Sequence, residues 1–120
     1  MAKLSSVAPE VPAANLGESI EYYVHKLGFR VISGLPGGDY VIVKRDDVAI
    51  HLFYDAAGDP RPTSMHIFTH QLDELCAELQ GRGARLSQPI IRKPWGNRDF
   101  RAKDPSGNEI KFTEPLPEDD

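Results

Sequence analysis

Apolar positions along this chain change period twice, in the same order each time. Leu16, Ile20, Tyr23, Val24 and Leu27 recur at helical spacing. Asn15 stands before them as a cap, Glu18 occupies the third helical position, and Gly28 supplies the stop. Strand-length runs follow at residues 29–33, 40–44 and 48–54, separated by the turns LPGG and RDD. The plan then returns. Residues 64–69 read as a strand, and Leu72, Leu75, Cys76 and Leu79 as an amphipathic helix ending near Gly81 and Gly83. A strand starting at Arg85 and continuing through Ile90 and Ile91 comes next, then strands at 97–102 and 109–113. Ahead of the first helix, residues 7–13 are extended. Pro9 and Pro12 confine that segment to a sheet edge or to an arm reaching another subunit.

The order is therefore βαβββ, twice. The run YVIVKRDDVAIHLF (Tyr40 to Phe53) returns as FRAKDPSGNEIKF (Phe100 to Phe112), so the halves are near-repeats. This predicts an α+β fold: two βαβββ modules forming curled mixed sheets around a cleft, with the helices outside. One domain spans residues 1–120, with modules at about 1–57 and 63–116 and a polar tail at 115–120. The linker DAAGDPRPT, Asp55 to Thr63, is the module boundary because Gly, Pro and Asp break regular structure. In the second hairpin, DPSGN offers a side-chain acceptor, a preset φ and a glycine free to take positive φ, so it serves as a turn.

Bulk properties remove several functions. With 40% hydrophobic and 27% charged residues in 120, the chain can bury a core, which excludes disorder and membrane spans. A net charge of -4 argues against nucleic acid, whose phosphates need clustered cations. Cys76 has no internal partner for a disulfide and sits at helical spacing between Leu72 and Leu79, which makes it core rather than nucleophile. No apolar leader follows a charged start, so the expected location is cytoplasmic. PGG at Pro36 to Gly38 lacks the Lys and Ser/Thr of a phosphate loop, and no nucleophile elbow is present. His25 and His70 need no more than surface or capping roles.

Three stretches carry a family resemblance: N-x-x-x-S-x-x-Y-Y before LGF at Asn15 to Phe29, LDEL at Leu72 to Leu75, and PWGNRDFRAKDPSGNEIKF at Pro94 to Phe112. With these the chain resembles the glyoxalase/bleomycin-resistance/extradiol-dioxygenase superfamily, the vicinal oxygen chelate fold. MAKL, Pro9 and the RDDV turn look like its bleomycin-resistance branch. Enzymes of the superfamily hold a divalent cation with residues from the first and last strands of each module. Carried over, those positions are Ala8, His51, Ser64 and Lys111. The repeat supports the second pair, since Ile50-His51-Leu52 matches Ile110-Lys111-Phe112. Alanine has no lone pair, serine is a poor ligand and lysine is normally protonated, so only His51 qualifies. The expectation is no metal cofactor. Strand alternation leaves one alternative: Glu10 and His66 share the faces of Ala8 and Ser64, so Glu10, His51 and His66 form a shifted two-His-one-carboxylate set for a lyase, isomerase or dioxygenase.

Without a metal, the cleft is a binding surface. Its expected lining is Tyr40, His51, Phe53, His66, Phe68, Trp95, Arg98, Phe100 and Lys111, which mixes flat rings with charge. Trp95, beside Gly96, is either a stacking wall or core. The resemblance implies sequestration of a bleomycin-type glycopeptide between two subunits, without chemistry, in a homodimer with an exchanged N-terminal arm. Arg98 and Lys111 stand against that ligand, because a cationic drug prefers carboxylates.

Overall fold

The computed structural model describes residues 2–34, 38–55 and 61–116. Most of the LPGG turn and the centre of the linker lie outside these residues, as does the end of the tail. The predicted order holds: β1 (Glu10–Ala13), α1 (Leu16–Glu21), β2 (Arg30–Gly34), β3 (Tyr40–Arg45) and β4 (Val48–Tyr54) form the first module. Then β5 (Ser64–Phe68), α2 (Leu72–Gly81), β6 (Leu86–Arg92), β7 (Arg98–Lys103) and β8 (Glu109–Thr113) form the second. The sheets have matching strand orders, β1-β4-β3-β2 and β5-β8-β7-β6. In each, the first strand pairs in parallel with the last and the others run antiparallel. This is an open α+β fold of two four-stranded mixed sheets.

Local chemistry explains the helix ends. Asn15 Oδ1 accepts the Glu18 amide at 3.1 Å, which supplies the predicted cap. The first helix does not continue as an α-helix to Gly28, however. It widens into a π-helical turn over Tyr22–Lys26. That extra residue turns two adjacent tyrosines inward: Tyr23 is fully buried, Tyr22 is half-buried, and their rings meet edge to face at 5.7 Å. Gly28, at φ 78°, then reverses the chain where a Cβ would strike the Arg45 guanidinium. The second helix buries Leu72, Cys76 and Leu79 as the spacing predicts.

Each helix covers one face of its own sheet. Val43, Ile50 and Leu52 of the first sheet and Phe100, Ala102, Ile110 and Phe112 of the second belong to one continuous core. Contacts made at both hairpin tips fasten the modules. Arg45, at the tip of the β3–β4 hairpin, donates to both Glu78 oxygens on α2 at 2.9 and 2.7 Å. Asp104, at the tip of the β7–β8 hairpin, accepts the Tyr23 hydroxyl at 2.9 Å. Asp104 Oδ1 also takes the Ser106 and Asn108 amides, and Asn108 donates across to the Pro12 carbonyl. Burial and the Asp104 charge push the Tyr23 hydroxyl far above its ordinary pKa, so it acts only as a donor.

Candidate functional site

Residues opposite the helices form the open faces. On the first sheet, strand alternation brings Tyr40, Ile42, His51, Phe53 and Glu10 to one side. His51 is flanked in register by Glu10 on β1 and Ile42 on β3. The Tyr40 hydroxyl lies 3.0 Å from Glu10 Oε2 and 2.6 Å from His51 Nδ1. One hydroxyl proton cannot serve both neighbours: if Tyr40 donates to the carboxylate, His51 Nδ1–H donates to Tyr40 and leaves Nε2 as the free lone pair. Burial, then the hydrogen bond to Glu10, raise the Tyr40 pKa.

The second sheet's open face has a different composition. Lys111 is flanked by His66 on β5 and Arg101 on β7, so three nitrogen bases stand side by side on adjacent strands. His66 Nδ1 lies 3.0 Å from Thr113 Oγ1, and its ring stacks on Phe68 at 5.8 Å. Beside this row Asp99 is 2% exposed, held by Gln88 at 2.6 Å and near Lys93 and Arg101 at 3.4 and 3.5 Å. Partial burial, then the Lys111 charge, hold the His66 imidazole below its usual pKa.

Three of the expected lining residues are elsewhere. Phe100 is 0% exposed and stacks on Phe112 in the core, on the helix side. The register explains why: Arg101 opposes Lys111 as Ile42 opposes His51, so Tyr40 corresponds to Asp99 and not to Phe100. The second hairpin is one residue longer at its tip, and matching the leading aromatics puts the halves out of step. Arg98 likewise points to the helix side, where it pairs with Asp73 at 2.8 Å and with Glu114. Trp95 is 66% exposed on the turn after β6, which excludes the core reading. Tyr40, His51, Phe53, His66, Phe68 and Lys111 do lie on the open faces. Sequence reasoning missed Arg101, Asp99, Lys93 and Gln88; counting register back from Lys111 finds the first two.

The sequence profile of the "Glyoxalase/Bleomycin resistance protein/Dioxygenase superfamily" matches residues 3–112. The chain belongs to this superfamily. Solved structures of the same fold include TioX from Micromonospora sp. ML1, at TM-score 0.80 and 20% identity over 93% of this chain and 99% of that one. Another is the bleomycin resistance determinant encoded on transposon Tn5, at TM-score 0.81 and 16% identity over 92% and 98%. A third is lactoylglutathione lyase from Agrobacterium tumefaciens, at 0.74 and 18% over 94% and 96%. Identities this low establish the fold alone. No curated protein sequence matches the chain.

The superfamily includes both binding proteins and metal-dependent enzymes, so the metal positions need testing. They do not fit this chain. Ala8 carries no donor atom, Ser64 is exposed at the start of β5, and Lys111 is an ammonium among cations. The shifted set fares no better: Glu10 and His51 adjoin on the first sheet, bridged by Tyr40, while His66 is on the second sheet and held by Thr113. Among the described residues no group of three His, Cys, Asp or Glu side chains is placed to hold a metal ion. No helix among them is long and apolar enough to cross a membrane.

Proposed function

We propose that this protein binds and sequesters a small planar molecule on the open faces of its sheets and does not transform it. The observation that carries this reading is Lys111. It occupies in the second module the register position that His51 occupies in the first, and an ammonium between His66 and Arg101 is suited to contacting a ligand rather than a cation. Phe68 supplies a stacking surface on the same face, and Tyr40 and Phe53 supply rings on the open face of the first sheet. A bleomycin-type glycopeptide, and with it a role in antibiotic resistance, is the ligand class that kinship brings forward. The complete cleft forms when two copies meet in a homodimer. In support, residues 2–8 run exposed ahead of β1, with Leu4 100% and Val7 92% exposed, an arm long enough to lie on a neighbour. A cytoplasmic location accompanies this reading, in keeping with the free thiol of Cys76.

Titration with bleomycin, followed by the fluorescence of the exposed Trp95, tests the ligand. Saturation at micromolar drug is expected, and no saturable change overturns the drug assignment. Elemental analysis of protein purified without chelators tests the absence of chemistry. A stoichiometric transition metal that disappears on His51→Ala would overturn the non-enzymatic reading in favour of a lyase, isomerase or dioxygenase.

A further inference from the structure

The second sheet's open face is short of negative charge. Lys93, Arg101, Lys103 and Lys111 stand there against Asp99 and Glu109. Like charges opposite one another on neighbouring strands destabilise a sheet, and Lys111 and Arg101 are such a pair. The carboxylates present relieve only the arginine and leave Lys111 uncompensated. Asp99 is buried and shared among Gln88, Lys93 and Arg101, and Glu109 meets only Arg101, at 3.6 Å. Lys111 has no ion pair among the described residues. Arg101 Nε is buried with no hydrogen-bond partner among them, which leaves a donor unmet at a cost that native proteins rarely accept without a ligand or water. Next to these groups Phe68 is 56% exposed, its ring parallel to His66 within 16°.

We propose that the molecule bound on this face is an aromatic oxyanion, its carboxylate held by Lys111 and Arg101 and its ring laid against the Phe68–His66 stack. The inference rests on the reading that the open faces bind ligand, and it gives the ligand of this face a charge opposite to that of a cationic glycopeptide. Lys111 supplies a point charge, and Arg101 supplies the directed N–H donors that match a carboxylate. Burial first, and then the charge of Lys111, lower the basicity of His66, which is consistent with a cation standing close to its ring. The first face, with His51 and Ile42 at the places of Lys111 and Arg101 and Glu10 at that of His66, has no such surplus.

Calorimetric titration with 2-naphthoate, 2-naphthylmethanol and 2-naphthylmethylammonium tests the charge, with amide NMR shifts on β5 and β8 locating each ligand. The naphthoate is expected to bind roughly tenfold or more tightly than the other two, in line with a charge-assisted hydrogen bond, and to weaken as salt is raised. Lys111→Met should remove that preference, bringing naphthoate down to the affinity of naphthylmethanol for the same variant, and raise the thermal midpoint by relieving the like-charge pair. The rise in midpoint shows that the variant folds. Equal affinity for all three ligands at β5 and β8, or naphthoate binding untouched by Lys111→Met, overturns the oxyanion assignment alone. No binding of any of the three removes both this inference and the binding role of the second face.

Discussion

The two open faces share one backbone plan and almost no chemistry. Row for row, Glu10, His51 and Ile42 on the first correspond to His66, Lys111 and Arg101 on the second. In the first set, Glu10 and His51 are bridged through the Tyr40 hydroxyl. The second is a bank of cations around a buried aspartate. Duplication has preserved register, which hydrogen bonds and the core enforce, and released the side chains that face away from the core. Here the halves have diverged into unlike walls. The crossing contacts diverge in the same way. Arg45 and Asp104 occupy equivalent hairpin tips, yet one forms a half-exposed ion pair and the other receives a buried phenol.

The sharpest break of this comparison is in the core. Phe100→Ala should cost about 3–5 kcal/mol in urea denaturation, because a fully buried ring leaves a cavity that the second sheet cannot close. Its counterpart Val41 is smaller and should cost clearly less on truncation. Parity between the two would mean the modules do not share one core. The tips come next. Asp104→Ala leaves the Tyr23 hydroxyl and the Asn108 amide without their acceptor, a loss of about 3 kcal/mol, whereas Arg45→Met should cost about 1 kcal/mol or less. Thermal melts of the two variants, with and without added salt, should show salt dependence changing only for Arg45→Met.

The smallest effect is on acid stability. Hydrogen bonds from Arg45 hold the Glu78 carboxyl below its ordinary range, and Arg98 does the same for Glu114. A carboxylate whose folded pKa is depressed contributes stability that is complete above its unfolded value, near pH 4.3, and is lost as pH falls through the folded one. Urea midpoints should therefore drop below about pH 4. Arg45→Met should flatten that drop by reducing the Glu78 share to what Arg82 alone sustains, and an unchanged slope would show the Arg45–Glu78 pair to be inert.

The elements were legible because periodicity and caps report local structure: the Asn15 cap, the buried stripe of α2 and the DPSGN turn all follow from short-range chemistry. The pairing of His51 with Lys111 was legible too, since matching from the last strand crosses no loop. What escaped depends on loop length. One added residue at the second hairpin tip moves Phe100 from the open face to the core and brings Arg101 out, and composition carries no sign of which residue is the added one. Arg98 followed Phe100 to the helix side for the same reason. The π-helical turn escaped because Tyr22-Tyr23 fits an α-helix equally well until tertiary packing demands two inward rings. The Tyr40 bridge required the entry point of β1, which only the parallel register with β4 establishes.

The reciprocal hairpin tips also bear on what this chain could become. A protein assembled from two copies of the first module would set an arginine against the phenol of Tyr23. One assembled from two second modules would bring the Asp104 carboxylate against the acidic helix that carries Glu78. Neither half can replace the other. What began as a tandem pair has become an obligate heterodimer within one polypeptide, with a lock and a key that fit in only one order.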